Sequence, residues 1–372
     1  MIRRLYVDNY KCFVNFEYKP RALELLIGEN GAGKSAAFEV IERLRAFLGR
    51  GSSTGECFKA STLTRWQDSP AQRFELDIAG PDGEYYYELR VEHDAKRAKN
   101  RIAEERLKLG NRWLYVFDGK DAHLYRDDGS EGPSFPTDWS RSFIFTLPER
   151  DDNKRLTWFR NYVAAIQLFF IDPHRMKTES DGEEPQPLVS LANFASWYRH
   201  ATQDAPDRQQ KVFDSLRDVL AGFRLLKLEQ AGEYTRVLKA VFSAPGKPGQ
   251  REEPLSFRLD ELSEGQRCLI ALYTVLHFCV QTGRTICFDE PDNYVALREL
   301  EPFLAELRLR CEDSGCQCLI ISHHPEILDR LTVDHGVRFV RDDMGPTRTK
   351  PCTFEESEKQ RPSEIVARGW ED

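Results

Sequence analysis

One octet constrains this chain more than any other feature: Gly28, Glu29, Asn30, Gly31, Ala32, Gly33, Lys34 and Ser35, which together satisfy G-x-x-x-x-G-K-[ST]. An apolar run at 22–27 precedes it and reads as a strand. A helix over 34–48 follows, with Phe38, Ile41 and Leu44 or Leu48 on one face. Glycines in such a turn let backbone N–H groups point inward around a phosphate, and the helix N-terminus adds the positive end of its dipole. In that setting Lys34 reaches the β- and γ-phosphates of a nucleoside triphosphate and the Ser35 hydroxyl binds Mg2+. The strand–loop–helix unit predicts an α/β core.

A phosphate loop of this kind needs an acidic metal partner. The segment Thr285-Ile-Cys-Phe-Asp289-Glu290 supplies one, as an apolar strand that ends in two acids and is stopped by Pro291. Asp289 at the tip would hold Mg2+, directly or through water, and Glu290 would polarise the attacking water. Upstream, Leu262-Ser-Glu-Gly-Gln-Arg267 opens a long apolar helix. A hydroxyl, a flexible backbone and a helix N-terminus again make an anion site. Downstream, Leu319-Ile-Ile-Ser-His323-His324 is a strand that ends in histidine.

Together these motifs resemble the ABC-type ATPases of the SMC/RecF/OLD-like branch. The signature is in the Leu-Ser-x-Gly form of SMC and RecF, and Leu5-Tyr-Val-Asp-Asn-Tyr-Lys11-Cys-Phe13 looks like the opening strand of that branch. Residues 101–129 are similar to the sheet of compact OLD-like ATPases. The resemblance implies a P-loop NTPase of ABC type, with an added antiparallel β-sheet and an inserted helical lobe. It implies ATP and Mg2+ as ligands. It also implies a homodimer in which Ser263 and Gly265 of one subunit face the γ-phosphate held by the loop of the other, and it gives His323 a contact to that phosphate. There are departures. The loop after the acidic pair reads Pro291-Asp-Asn-Tyr, so Asp292 or Asn293 would take the cross-dimer contacts that the family gives to an aspartate. A Mg2+-sensing glutamine is not evident, and Gln167 is the candidate. With no long heptad coiled coil and no Toprim-type nuclease segment, the chain reads as a stand-alone head.

The rest of the sequence bounds these expectations. Of its 372 residues, 40% are hydrophobic and 31% are charged, and the net charge is -8, which argues against coating nucleic acid by bulk charge. The basic stretch formed by Lys96, Arg97, Lys99, Arg101, Arg106, Lys108 and Arg112 keeps a DNA-binding, RecF-like repair function as the alternative. Nine cysteines without a framework spacing read as reduced thiols, and 311–318 matches no standard zinc pattern. Neither a signal peptide nor a membrane-spanning stretch is visible, so the expectation is a cytoplasmic protein. Period-two segments from about Arg73 to Tyr125 read as an antiparallel sheet, 151–230 reads as mostly helical, and the residues after Met344 read as a polar tail. The expected division is 1–150, a nucleotide-binding lobe with the sheet; 151–255, a helical lobe and linker; 256–345, a lobe with signature, acids and histidine; and 346–372, the tail. No second catalytic constellation is visible, and stand-alone OLD-like ATPases of this size resemble components of bacterial defence systems; what that resemblance implies as the leading function is an ATPase that licenses a separately encoded effector, such as a nuclease in bacterial anti-phage defence.

Overall fold

The strand that feeds the phosphate loop, Leu23–Ile27, is buried at every position, as a strand covered on both faces must be. It pairs in parallel with Gly336–Val340, and Arg348–Pro351 adds an antiparallel strand at the far side of Gly336–Val340. The computed structural model describes residues 1–94, 99–243, 254–313, 315–352 and 361–367. The chain divides into two compact units. The first comprises Met1–Ile166, Gly283–Thr285 and Pro325–Asp372; the second comprises Gln167–Thr282 and Ile286–His324.

In the first unit the helix Lys34–Gly49 buries Phe38, Ile41, Leu44 and Leu48, the face read from the sequence. A second helix, Lys154–Ala165, crosses it closely: a Cβ at Gly49 would stand 2.6 Å from that of Ala164. The period-two region forms an eight-stranded antiparallel sheet. Its order is Phe16–Tyr18, Ile2–Asp8, Ala71–Gly80, Gly83–Asp94, Lys99–Leu109, Arg112–Phe117, Asp121–Tyr125 and Glu131–Pro136. Alternate residues such as Phe74, Leu76 and Ile78, then Tyr85, Tyr87 and Leu89, face the core. Trp158 of the second helix stacks on Tyr85 at 4.8 Å.

In the second unit the helix Glu264–Phe278 is buried on every side from Cys268 onward. The strands Gln167–Phe169, Thr285–Asp289 and Gln317–Ile321 are neighbours in that order, and Gln167 registers with Ile286 in a parallel pair.

Three expectations change. The apolar run 158–170 is helix only to Ala165 and then becomes the strand Gln167–Phe169. The helical reading of 151–230 holds for Phe194–Ala201 and Pro206–Val219 but fails at Phe223–Gln230, a strand paired with Arg236–Ser243. Gly222, at φ +76°, ends the helical path, and the β-branched partner Arg-Val-Leu-Lys-Ala-Val supplies the pairing that leucine-rich 223–230 cannot signal by itself. The tail is not merely polar, since Arg348–Pro351 is a strand of the nucleotide-binding core. Most of the expected linker, 244–253, lies outside the described residues. No described helix is long and apolar enough to cross a membrane.

Candidate functional site

The phosphate loop has the backbone that its glycines permit. Gly28, Gly31 and Gly33 sit at φ +149°, +82° and +103°. A Cβ at Gly28 would fall 2.3 Å from the Phe339 carbonyl oxygen, and one at Gly33 would fall 2.9 Å from both Cys12 Sγ and Thr347 Oγ1. Gly33 caps the helix Lys34–Gly49 without a side-chain hydrogen bond, which leaves the first-turn N–H groups for a ligand. The buried Lys34 ammonium folds back over the loop and donates to the carbonyls of Gly28 at 2.6 Å and Glu29 at 3.1 Å. Ser35 is exposed on the first turn, as are Glu29, Asn30 and Gly31 on the loop.

Residues far away in sequence fix this loop. Thr347 donates its hydroxyl to the Ala32 carbonyl at 2.9 Å, and its own N–H goes to Cys12 O at 2.9 Å. Arg341 donates to Gly31 O at 3.2 Å while its guanidinium lies 5.2 Å above the Trp66 ring. Beside the loop is a cavity of about 390 Å³ lined by Glu29, Asn30, Arg338, Arg341 and Lys350 among others. The loop's glycine backbone and the cations around it fit an anionic, phosphate-bearing ligand. Nothing in the sequence around Thr347 or Arg341 signals this role; the pairing of Gly336–Val340 with the loop's own strand brings Arg341 there, and the return of the chain into the tail strand brings Thr347.

The acidic strand, the signature and the histidine lie in the second unit. Asp289 is half-buried at the strand end, and its carboxylate, like the Ser35 hydroxyl, is the hard oxygen donor that Mg2+ accepts. Glu290 takes a left-handed φ of +51°, a conformation costing about 1–3 kcal/mol and typical of functional sites. Hydrogen bonds hold it there: its N–H donates to Ile321 O at 2.8 Å, the Asn293 N–H donates to Glu290 O at 3.3 Å, and Asn293 Nδ2 donates to Glu290 Oε2 at 2.9 Å. Of the two residues following the acids, Asp292 is buried. Burial raises its carboxyl above the ordinary range, opposed by a hydrogen bond with Ser322. Asn293 stays exposed.

The signature helix packs on this acidic loop. A Cβ at Gly265 would stand 2.7 Å from the carbonyl oxygen of Tyr294, itself at φ +75°, and Cys268 Sγ is 3.5 Å from Asn293 O. Ser263 is exposed and caps the helix reciprocally with Gln266. Arg267 donates to Pro173 O at 2.8 Å, and His174 lies 3.3 Å from Glu264. Across the strand end, Ser322 is buried, His324 donates its N–H to Ser322 Oγ at 3.0 Å, and His323 is exposed. Within the second unit, therefore, Ser263, Gly265, Asp289, Glu290 and His323 sit on segments tied to one another by backbone contacts. Gln167 is half-buried on its strand.

Two arginines of the basic stretch are paired with acids. Arg101 pairs with Glu92 at 3.0 Å, Arg106 with Glu104 at 3.2 Å, and Lys108 lies 4.9 Å from the Tyr86 ring. Lys96 and Arg97 lie outside the described residues.

A glycine-shaped phosphate loop at the head of a buried strand, with an acid-tipped strand and an added antiparallel sheet, defines a P-loop NTPase. A family model described as "AAA domain, putative AbiEii toxin, Type IV TA system" matches residues 25–329, and the chain belongs to that family. Among solved structures, the chain is similar to "Crystal structure of the SmcHead bound to the C-winged helix domain of ScpA". The TM-score is 0.57 at 12% identity, covering 96% of this chain and 98% of that one. The "SMC head domain from Thermotoga maritima" gives a TM-score of 0.49 at 13% identity, covering 95% and 99%. No curated protein matches the chain in sequence. The likeness is one of fold, to the SMC head domain.

Proposed function

We propose that the protein is an ABC-type ATPase in which two copies clamp two ATP molecules head to tail, and that this ATP-gated dimer regulates a separately encoded effector. The observation that carries the reading is the loop Gly28–Ser35, with its left-handed glycines and the Lys34 ammonium lying on its carbonyls. On binding, Lys34 would exchange those carbonyls for β- and γ-phosphate oxygens, a stronger charge-assisted bond. Ser35 and Asp289 would hold Mg2+, which when bound neutralises charge on the phosphates. Glu290, positioned by Asn293, would take the proton of the attacking water. His323 would contact the γ-phosphate. Ser263 and Gly265 at the exposed N-terminus of their helix would close on the γ-phosphate of the second copy.

The family's printed description mentions a putative toxin, which supports a place in a defence-type system, as the bacterial anti-phage role supposes. A DNA-repair role receives no comparable support, because Arg101 and Arg106 of the basic stretch are paired with glutamates. The test is turnover of Mg-ATP by the purified chain with and without DNA, together with identification of what a tagged chain carries from its native host. Turnover that is indifferent to DNA, with a protein companion, supports the proposal. Turnover only with DNA, falling steeply with salt, would replace it with the repair reading.

A further inference from the structure

Three thiols of the 311–318 run, whose spacing matches no standard zinc pattern, meet inside the second unit. Cys311 stands in the last turn of the helix Leu297–Asp313, Cys316 in the connection after it, and Cys318 on the strand Gln317–Ile321. All three are buried. Their sulfurs lie within 4.8 Å of one another, and those of Cys311 and Cys316 are 3.5 Å apart. Gly315, at φ +63°, reverses the chain between helix and strand. Cys316 and Cys318, two apart along an extended segment, then present their side chains to the same face. Three thiolates around one ion at about 2.3 Å stand about 3.8–4.0 Å from each other in tetrahedral or trigonal geometry. The observed triangle needs only small rotations to close on that spacing.

We infer that Cys311, Cys316 and Cys318 form a binding site for a thiophilic d10 cation, Zn2+ or Cu+, held by three thiolates. Soft thiolate sulfur selects these ions over Mg2+, so the site is chemically separate from the oxygen donors Ser35 and Asp289. The ion enters as each thiol gives up its proton to solvent, so binding releases protons and is weakened by acid; no electron is transferred. Among the described residues no His, Asp or Glu joins the triangle. The coordination therefore ends at three sulfurs for Cu+, or takes one water for Zn2+. A bound ion would pin the end of the helix to the start of the strand that leads to Ser322 and His323.

The experiment loads the full chain, reduced and under inert gas, with Zn2+ in one arm and Cu+ in the other. Loosely held metal is stripped with a chelator, then bound metal and its X-ray absorption are measured. One ion per chain is expected, with a shell of three sulfurs at about 2.3 Å. An additional oxygen marks Zn2+, and sulfur alone marks Cu+. Cys316→Ser and Cys318→Ser should lose the ion in both arms, whereas Cys352→Ser, outside the triangle, should keep it. Equal metal in the wild type and in the triangle variants, or a shell of nitrogen and oxygen, would overturn the proposal. So would a Cys311–Cys316 disulfide with no metal retained. Should the serine variants fail to fold, the absorption spectrum of the loaded wild type decides alone.

Discussion

Lys34 donates to two carbonyls of its own loop, so it is buried yet lies on the loop that the proposal gives to phosphate. Replacing it with alanine removes the fixed cation while leaving the glycine backbone intact. A hydrogen bond to a charged group contributes about 1.5–3 kcal/mol, so Lys34→Ala should weaken ATP binding by roughly 10- to 150-fold. Equilibrium binding of labelled ATP reads this directly, and an unchanged affinity would mean that the loop does not bind triphosphate through Lys34. At this scale the sequence was informative where chemistry demands fixed spacing. Gly28–Ser35, Asp289–Glu290 and Ser263–Gly265 could be singled out because a bound phosphate and its metal would require those residue types in that order. Asn293 and Thr347 were not. Their roles depend on the left-handed turn at Glu290 and on the strand pairing of the tail, and neither leaves a mark in composition or period.

Elements, rather than single residues, carry the coupling inside the second unit. The first turn of Glu264–Phe278 approaches the acidic loop so closely that only glycine fits at 265. Gly265→Ala should push the Tyr294 carbonyl away, costing about 1–3 kcal/mol of stability and lowering the hydrolysis rate by disturbing Glu290. Urea unfolding and steady-state turnover on the same sample check it; wild-type behaviour in both would deny the contact. The inserted sheet holds a different device. Glu105 is fully buried, and burial raises its carboxyl to about 7 although the hydroxyls of Ser142, Tyr87 and Tyr115 donate to it. Its folded value lies above the unfolded value of 4.5, so the folded state holds the proton more tightly. The resulting stability is fully present below about pH 4.5 and is lost as pH rises to about 7, a change of about 3 kcal/mol. Glu105→Gln should flatten the rise in the urea midpoint expected on going from about pH 7.5 to about pH 5; a slope equal to wild type would remove Glu105 as its source. The middle of the antiparallel sheet, between Arg73 and Tyr125, was legible from period two; the joining of Ile2–Asp8, Phe16–Tyr18 and Glu131–Pro136 to it was not. The hairpin of Phe223–Gln230 with Arg236–Ser243 was not, because its first strand borrows its conformation from its partner.

For the whole molecule the central claim is association. One copy carries an anion-binding loop in its first unit and an exposed, reciprocally capped helix N-terminus in its second, and the head-to-tail clamp supposes that each completes the site of the other copy. A net charge of -8 on each chain opposes bringing two together, so in the proposed clamp the contacts made through nucleotide and Mg2+ would have to outweigh that repulsion. The most direct measurement uses Glu290→Gln, which keeps the size and hydrogen bonding of the acid but cannot accept a proton, a loss of general base that typically costs ~10²–10⁴ in rate. The variant should therefore bind ATP, hardly hydrolyse it, and accumulate closed dimers. Solution mass by light scattering, with a distance probe across the two heads for the case of a constitutive dimer, is recorded with and without ATP and Mg2+. The account predicts that ATP raises the dimer population or shortens the head-to-head distance in Glu290→Gln, and that adding Ser263→Arg abolishes the change by placing bulk and charge at the shared interface. The same mass and the same distance with and without ATP in Glu290→Gln would contradict the clamp.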